Sequence, residues 1–227
     1  VQAAQKTVPA VGGQAQIFRD GSEVPDGMRR YVDWVNGLES LDEVLLVESP
    51  LFHPAVTMRA TALASVGGYR NGPFPEDYEL WLRLRRHGWL LHSLPLPVLR
   101  IRDRTDRLTR TDPRYSRKAF NGCKMEHLSR TLLKDPGRVA IWGAGRTGRP
   151  WIRWAMEQGH QVVAVVDSFI RTERRGIPVE SPDSLSEHSP DLLIVAVGAR
   201  GARREIRAQL QSIRPDWREG RDWIAVA

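Results

Sequence analysis

Glu76 and Asp77 stand side by side just after a turn-rich stretch, Gly67-Gly68-Tyr69-Arg70 followed by Phe74-Pro75, and they open a helical pattern. Leu80, Trp81 and Leu84 recur there at spacings of three and four, which gathers apolar side chains on one face. Acids in a first helical turn are stabilised in the ionised form by the helix dipole. A carboxylate held ionised and aimed at a cleft is placed to take a proton as a general base. The same two residues admit a plainer role, with Asp77 as an N-cap and Glu76 as a solvated charge.

A second constellation lies further on. Gly143-Ala144-Gly145-Arg146-Thr147-Gly148 directly follows the strand-like run Arg138–Trp142 and precedes a helical pattern from Pro150 to Gln158. Gln161 to Val166 reads as a second strand, with Asp167 at its end, about 20 residues past the last glycine. In such a turn Gly143 permits the tight bend, Gly145 lets a phosphate approach the backbone, and Gly148 allows close helix–strand packing. The following helix N-terminus offers unpaired N–H groups to an anion, and Asp167 could accept a ribose hydroxyl. A strand-to-helix turn needs glycines for packing whether or not a ligand binds, so a purely structural turn is the competing reading. No His, Lys or Tyr dyad suited to hydride or proton transfer follows the glycines, which argues against a free-standing dehydrogenase.

The elements that must carry these groups alternate between strand and helix. The spacing predicts a strand over 11–18, a helix over 27–38 with a second short helix over 41–47, a strand over 50–58 and a helix over 60–66. The acid-bearing helix runs from Asp77 to His87 and is ended by Gly88. Strands follow over 90–94 and 98–101, then a long helix over 116–133. Lys134-Asp135-Pro136-Gly137 is the strongest linker signal. Beyond it the run continues with a helix opening at Pro182–Leu185, a strand over 191–197, a helix over 201–210 and a last strand over 223–226. The expected architecture is therefore α/β in two domains, 1–134 and 135–227.

Length and composition bound the rest. The 227 residues suffice for one large or two small domains, and no run approaches the roughly 18 apolar residues of a membrane span. Cys123 stands alone, so no disulfide or Cys-based metal site forms within the chain and a reducing, cytoplasmic setting is the default. Val1 stands where an initiator Met would, and Val1–Ala10 lacks a signal-peptide pattern; the sequence reads as a piece of a longer polypeptide. The net charge of +7 is carried mainly by arginine, part of it between Arg100 and Lys118. Asp103, Asp106 and Asp112 interleave there and no nucleic-acid motif accompanies the patch, so nucleic acid is not expected as a partner. Peripheral contact with an anionic membrane surface is left open.

Gly-Gly-Tyr, a short polar loop, then Glu-Asp-x-x-Leu-x-x-Arg resembles the acceptor-side motif of family 2 glycosyltransferases of the GT-A fold. His53 to Arg59 with the helix over 60–66 is similar to the strand and helix before that motif, and Gly88-Trp89 with Pro95–Arg100 to the segment after it. The resemblance covers about Val11 to Tyr115. It implies sugar transfer, with inversion, from a nucleotide-sugar donor to a hydroxyl acceptor; Asp77 would be the base and Glu76 a supporting residue. The family's donor half, with its Asp-x-Asp motif, is absent before Val11. Most of the donor site and the ligands of a Mg or Mn ion would then lie outside this chain, which supplies no metal ligand of its own. Where relatives often carry a His in the strand after Glu-Asp, this sequence has Arg104, near Arg102. Either the absent half holds the metal alone or Arg104 stabilises the diphosphate as a fixed cation. His53 is structural or touches the acceptor.

Arg174 to Val179 and Ser181 to Leu185 resemble the small Rossmann-like domains found beside sugar acyltransferases and at the ends of some glycosyltransferases. The resemblance implies a nucleotide, a nucleotide-sugar or NAD as ligand at Gly143, Gly145, Gly148 and Asp167. Two other readings stay open: a regulatory nucleotide-binding module without catalysis, and an inactive truncated remnant.

Overall fold

The computed structural model describes residues 8–227. They form two compact units that divide between His127 and Leu128, with Leu46–Glu48 grouped in the second. The linker signal at Lys134–Gly137 thus lies seven or more residues inside the second unit.

In the first unit a nine-residue strand β1 (Ala10–Phe18) is the centre of a three-stranded sheet ordered β2-β1-β3. The strand β2 (Thr57–Met58) runs antiparallel to it and β3 (Leu91–Arg102) parallel. The two strands expected around Leu90–Leu94 and Val98–Ile101 are one. Its register jumps where Gly13 faces Leu94 and Gln14 faces Pro97, so the residues between bulge out of the ladder. Helix α1 (Asp26–Asn36) lays Val32 and Val35 on Ala15 and Phe52, with Ile17, Tyr31, Leu99 and Ile101 packed around them. Asn36 fixes this packing at the bulge: its amide accepts from Ala15 N–H at 2.9 Å and donates to Ala15 C=O at 2.8 Å.

Residues 41–47 form turns rather than the expected helix, and the Tyr78 hydroxyl takes up the Leu45 carbonyl at 2.6 Å. The expected strand over 50–58 is reduced to a 3₁₀ turn, His53–Ala55, and the two residues of β2, because Pro54 at the turn's start fixes its backbone. Helix α2 (Ala60–Ser65) follows, then α3 (Glu76–Arg86). All seven residues Tyr78–Leu84 are buried, so α3 is covered on every side rather than on one apolar stripe. After β3 come a short α4 (Leu108–Thr111), a 3₁₀ turn Pro113–Tyr115, and α5 (Arg117–Ser129).

The second unit is a five-stranded, all-parallel sheet ordered β6-β5-β4-β7-β8, the Rossmann-like order in which the chain starts in the middle and winds out both ways. Its strands are β4 (Arg138–Trp142), β5 (Gln161–Val166), β6 (Val179–Glu180), β7 (Leu192–Val195) and β8 (Trp223–Ala225). Helices α6 (Arg149–Glu157) and α7 (Ala202–Ile213) complete it. The near-continuous apolar runs of β4, β5 and β7 are those of strands covered on both faces. Trp142, Val166, Leu193 and Val195 pack with Ile206, Leu210 and Trp223 in one core. The helix expected from Pro182 is only a 3₁₀ turn, Pro182–Ser186, and β6 is an edge strand too short to show in the sequence pattern.

Candidate functional site

Two glycines aim the first candidate site. Gly67 closes α2: its N–H bonds to Ala64 O at 3.0 Å and the Gly68 N–H to Leu63 O at 2.9 Å, a paired C-terminal cap. Both glycines hold φ near +81° and +73°, and a Cβ on either would meet nothing, so backbone conformation alone demands glycine here. The turn delivers Tyr69, whose hydroxyl lies 2.8 Å from His53 Nε2 with the rings 5.5 Å apart. The Trp81 ring stands edge-on to His53 at 6.0 Å.

Asp77 is the second residue of α3; Pro75 occupies the cap position and no side chain caps the helix. The N-cap alternative for Asp77 is therefore not the arrangement found. Asp77 Oδ1 accepts the neighbouring Tyr78 N–H at 2.7 Å. Burial pushes its carboxyl above the usual carboxylate range. The amides of Tyr78 and Asp77 and the nearby His53 pull the other way, and Glu76 adds to the rise. Glu76 is committed elsewhere: both its oxygens accept from the Tyr115 hydroxyl, at 2.9 and 3.2 Å. Burial, this bond and the charges of Glu76 and Asp77 push the Tyr115 phenol up. Burial, then the charges of Asp77 and Glu76, push up the Tyr69 phenol as well. Tyr115 thus engages Glu76, while burial leaves Asp77 more basic than an ordinary aspartate.

Arg104, assigned to a diphosphate, and its neighbour Arg102 are exposed and internally paired. Arg104 grips Asp106 through Nε and Nη2 at 3.0 and 2.7 Å. Arg102 pairs with Asp20 at 3.3 Å and lies over the Phe18 ring. Asp103 between them is buried and bonded to Arg110 at 2.7 Å. No contact joins Arg102 or Arg104 to Asp77 among the described residues. Nor do three or more His, Cys, Asp or Glu side chains gather there into a metal-binding group.

Sequence reasoning assigned no role to Arg83, the arginine of the Glu-Asp motif, or to Tyr115. Arg83 is buried, and a cation in a run of seven buried helical residues needs partners. It bonds both oxygens of Glu79 at 2.8–3.2 Å, Gly68 O at 2.8 Å, and Val66 O. Tyr115 lies 39 residues from Glu76, and no local pattern marks that bond.

The second candidate site is the glycine turn after β4, at the point where neighbouring connections leave the sheet in opposite directions. A Cβ on Gly148 would sit 1.7 Å from Gly143 O, and one on Gly143, at φ +119°, 2.7 Å from Ala196 O. A Cβ on Gly145 would meet only Ile170, at 3.9 Å, so the backbone there is open to a visitor. Asp167 is engaged by backbone: Oδ2 accepts from Ala144 N–H at 2.9 Å, and Oδ1 from Phe169 and Ile170 at 2.9 and 3.0 Å. Burial opposes its charge, but these three amides and Arg171 outweigh it and hold the carboxyl below its usual range. Arg174 Nε donates to Ala144 O at 2.7 Å, so Ala144 is held at both its N–H and its C=O. Phe169 is 93% exposed beside this loop.

No family model matches the chain. Among curated proteins it is similar to the amylovoran biosynthesis glycosyltransferase AmsE of Erwinia amylovora, at 29% identity over 96 residues, 41% of this chain and 34% of that protein. The chain therefore spans about a third of the length of this relative. Among solved structures, RSP, a Rex-family repressor, overlaps 47% of this chain and 59% of its own at 13% identity and a TM-score of 0.33. The Rossmann-like assignment rests on strand order and direction rather than on that overlap. Distant, partial similarity marks part of this chain as glycosyltransferase-like.

Proposed function

We propose that the chain takes part in sugar transfer from a nucleotide-sugar to a hydroxyl acceptor, with the acceptor side of the reaction on the first unit. Asp77 takes the acceptor's proton as that oxygen attacks the anomeric carbon. The carbon–oxygen bond to the leaving diphosphate breaks in the same displacement, so configuration inverts. The observation that carries this reading is the setting of Asp77: burial makes it a stronger base, while Tyr115 occupies its neighbour Glu76. Tyr69 and His53, 2.8 Å apart, are the side chains this reading assigns to holding the acceptor. The similarity to a polysaccharide glycosyltransferase supports the reaction class. A Mg or Mn ion would be held mostly by residues outside this chain, and no step here runs through it.

Asp77→Asn tests the reading. Nucleotide-sugar donors are supplied, with glycan acceptors, to the longer polypeptide that carries the donor half, and released nucleoside diphosphate is followed. Transfer should fall by about 10²–10⁴-fold, the usual contribution of a general base, while the fold persists. Transfer at the wild-type rate would overturn it.

The second unit supports a companion reading as a nucleotide-binding module, favoured by the open backbone at Gly145. Titration of the whole chain with UDP, UDP-sugars and NAD, against a Gly145→Val variant, separates ligand binding from a structural turn. A cytoplasmic setting suits the lone thiol of Cys123, which burial pushes up to about 12. Among the described residues no helix is long and apolar enough to cross a membrane.

A further inference from the structure

Arg83 lies in the same helix as Asp77, and its side chain reaches the turn that carries Tyr69. Its side chain is 1% exposed, and all its recorded partners fall into two groups. Glu79, one helical turn back, takes Nε and Nη2 in a fork. The carbonyls of Val66 and Gly68, on either side of Gly67, take Nη1 and Nη2. A planar guanidinium meets all of these at once; an ammonium has no such fork.

We infer that Arg83 is a positioning residue: it locks the Gly67–Gly68 turn onto α3, so that Tyr69 is held against His53 beside Asp77. Backbone geometry explains why a lock is needed. Gly67 and Gly68 have no side chains to pack, and nothing lies within 4 Å of where their Cβ atoms would be. The α2 cap fixes their N–H groups, while Arg83 fixes the carbonyls of Val66 and Gly68. Helix, arginine, turn, Tyr69 and His53 then form one chain of contacts that returns to α3 through the Trp81 ring. A part for Arg83 in transfer rests on the reading of Asp77 as the base; the lock itself does not.

The test is spectroscopic and needs no turnover. The Tyr69 phenol is followed by NMR titration of the ring-labelled whole chain, assigned with Tyr69→Phe, together with the imidazole nitrogens of His53. In the wild-type protein Tyr69 should titrate above the ordinary tyrosine range. In Arg83→Lys its titration should drop to about 10 and the His53 signals should lose their dependence on Tyr69. The double variant Arg83→Met, Glu79→Leu removes both buried charges together, and it should show the same release if the lysine variant does not fold. A lower unfolding midpoint with Tyr69 and His53 unchanged, in either variant, would reduce Arg83 to a core prop and overturn the inference. So would wild-type relaxation data showing the Val66–Tyr69 backbone more mobile than α3. Should Asp77→Asn leave transfer intact while Arg83→Lys still frees Tyr69, the lock stands and only its catalytic use falls.

Discussion

Asp77 and Asp167 are both aspartates beside the N-terminal approach to a helix or glycine turn, yet their surroundings push them in opposite directions. Asp77 is enclosed, has its own and the next amide for support, and is driven toward the protonated form. Asp167 collects three amide hydrogens from two chain segments and is driven toward the charged form. An acid that resists ionisation is suited to exchanging protons. One saturated with backbone donors is suited to tying loops together. On the proposed reading the same residue type serves as a base in one unit and a brace in the other, and burial together with the number of donors tells them apart.

Several substitutions sharpen or break that contrast. The largest expected effect is the loss of transfer in Asp77→Asn, about 10²–10⁴-fold, with the unfolding midpoint unchanged or slightly raised because an unfavourable buried charge is gone. A variant that loses activity and unfolds would place Asp77 among the braces instead. Next comes Gly148→Ala, where the new methyl would run into the Gly143 carbonyl; roughly 3 kcal/mol or more should be lost in urea unfolding of the second unit. Asp167→Ala should cost about 1–2 kcal/mol by the same measurement, since its partly exposed amides can recover water as an acceptor. Hydrogen exchange should quicken at Ala144, Phe169 and Ile170 in that variant, and unchanged protection there would dismiss the brace.

Acid gives the two residues opposite signs. The contribution of Asp77, whose folded value is raised, is fully present below the unfolded carboxyl pKa of about 3.9 and is lost as pH rises through the folded value. That of Asp167, whose folded value is lowered, is present above about 3.9 and lost as pH falls through the folded value. Hydrogen exchange resolved by unit between pH 3 and 7 should therefore show Asp77→Asn flattening one slope and Asp167→Asn the other. Smallest of all is Gly145→Ala, expected within about 0.5 kcal/mol of wild type because its Cβ meets only Ile170 at van der Waals distance. If that quiet variant nonetheless loses nucleotide binding, the glycine serves a ligand.

Much of this was legible from local pattern. The glycine turn sits between β4 and α6, and Glu76 begins α3, because periodicity, glycine and proline act within a few residues of themselves. The same local signals misled at residues 41–47, where apolar spacing suited a helix but a hydroxyl 33 residues away holds the chain in turns. Tyr115 and the turn-holding half of Arg83's contacts escaped for the same reason. Glu76 lies 39 residues from Tyr115, Val66 and Gly68 lie 17 and 15 from Arg83, and nothing in spacing announces a long-range hydrogen bond. Only the Arg83–Glu79 pair, four residues apart, is local. Aligned with a family histidine, Arg104 is assigned to a diphosphate; in the fold it pairs with Asp106, and its neighbour Arg102 with Asp20. A basic cluster with acids interleaved can satisfy itself.

The bulge in β3 has a bearing on how this protein keeps itself from sticking to its copies. Among the described residues β3 has no strand on its far side, and Leu94, Leu96 and Val98 are each more than half exposed along it. A bare, apolar strand edge is an invitation to cross-β association. Pro95 and Pro97 alternate with those residues, and neither has an N–H to offer an incoming strand. The prolines leave the edge greasy but illegible as a template, so their replacement by threonine would convert a tolerated surface into a seed for aggregation.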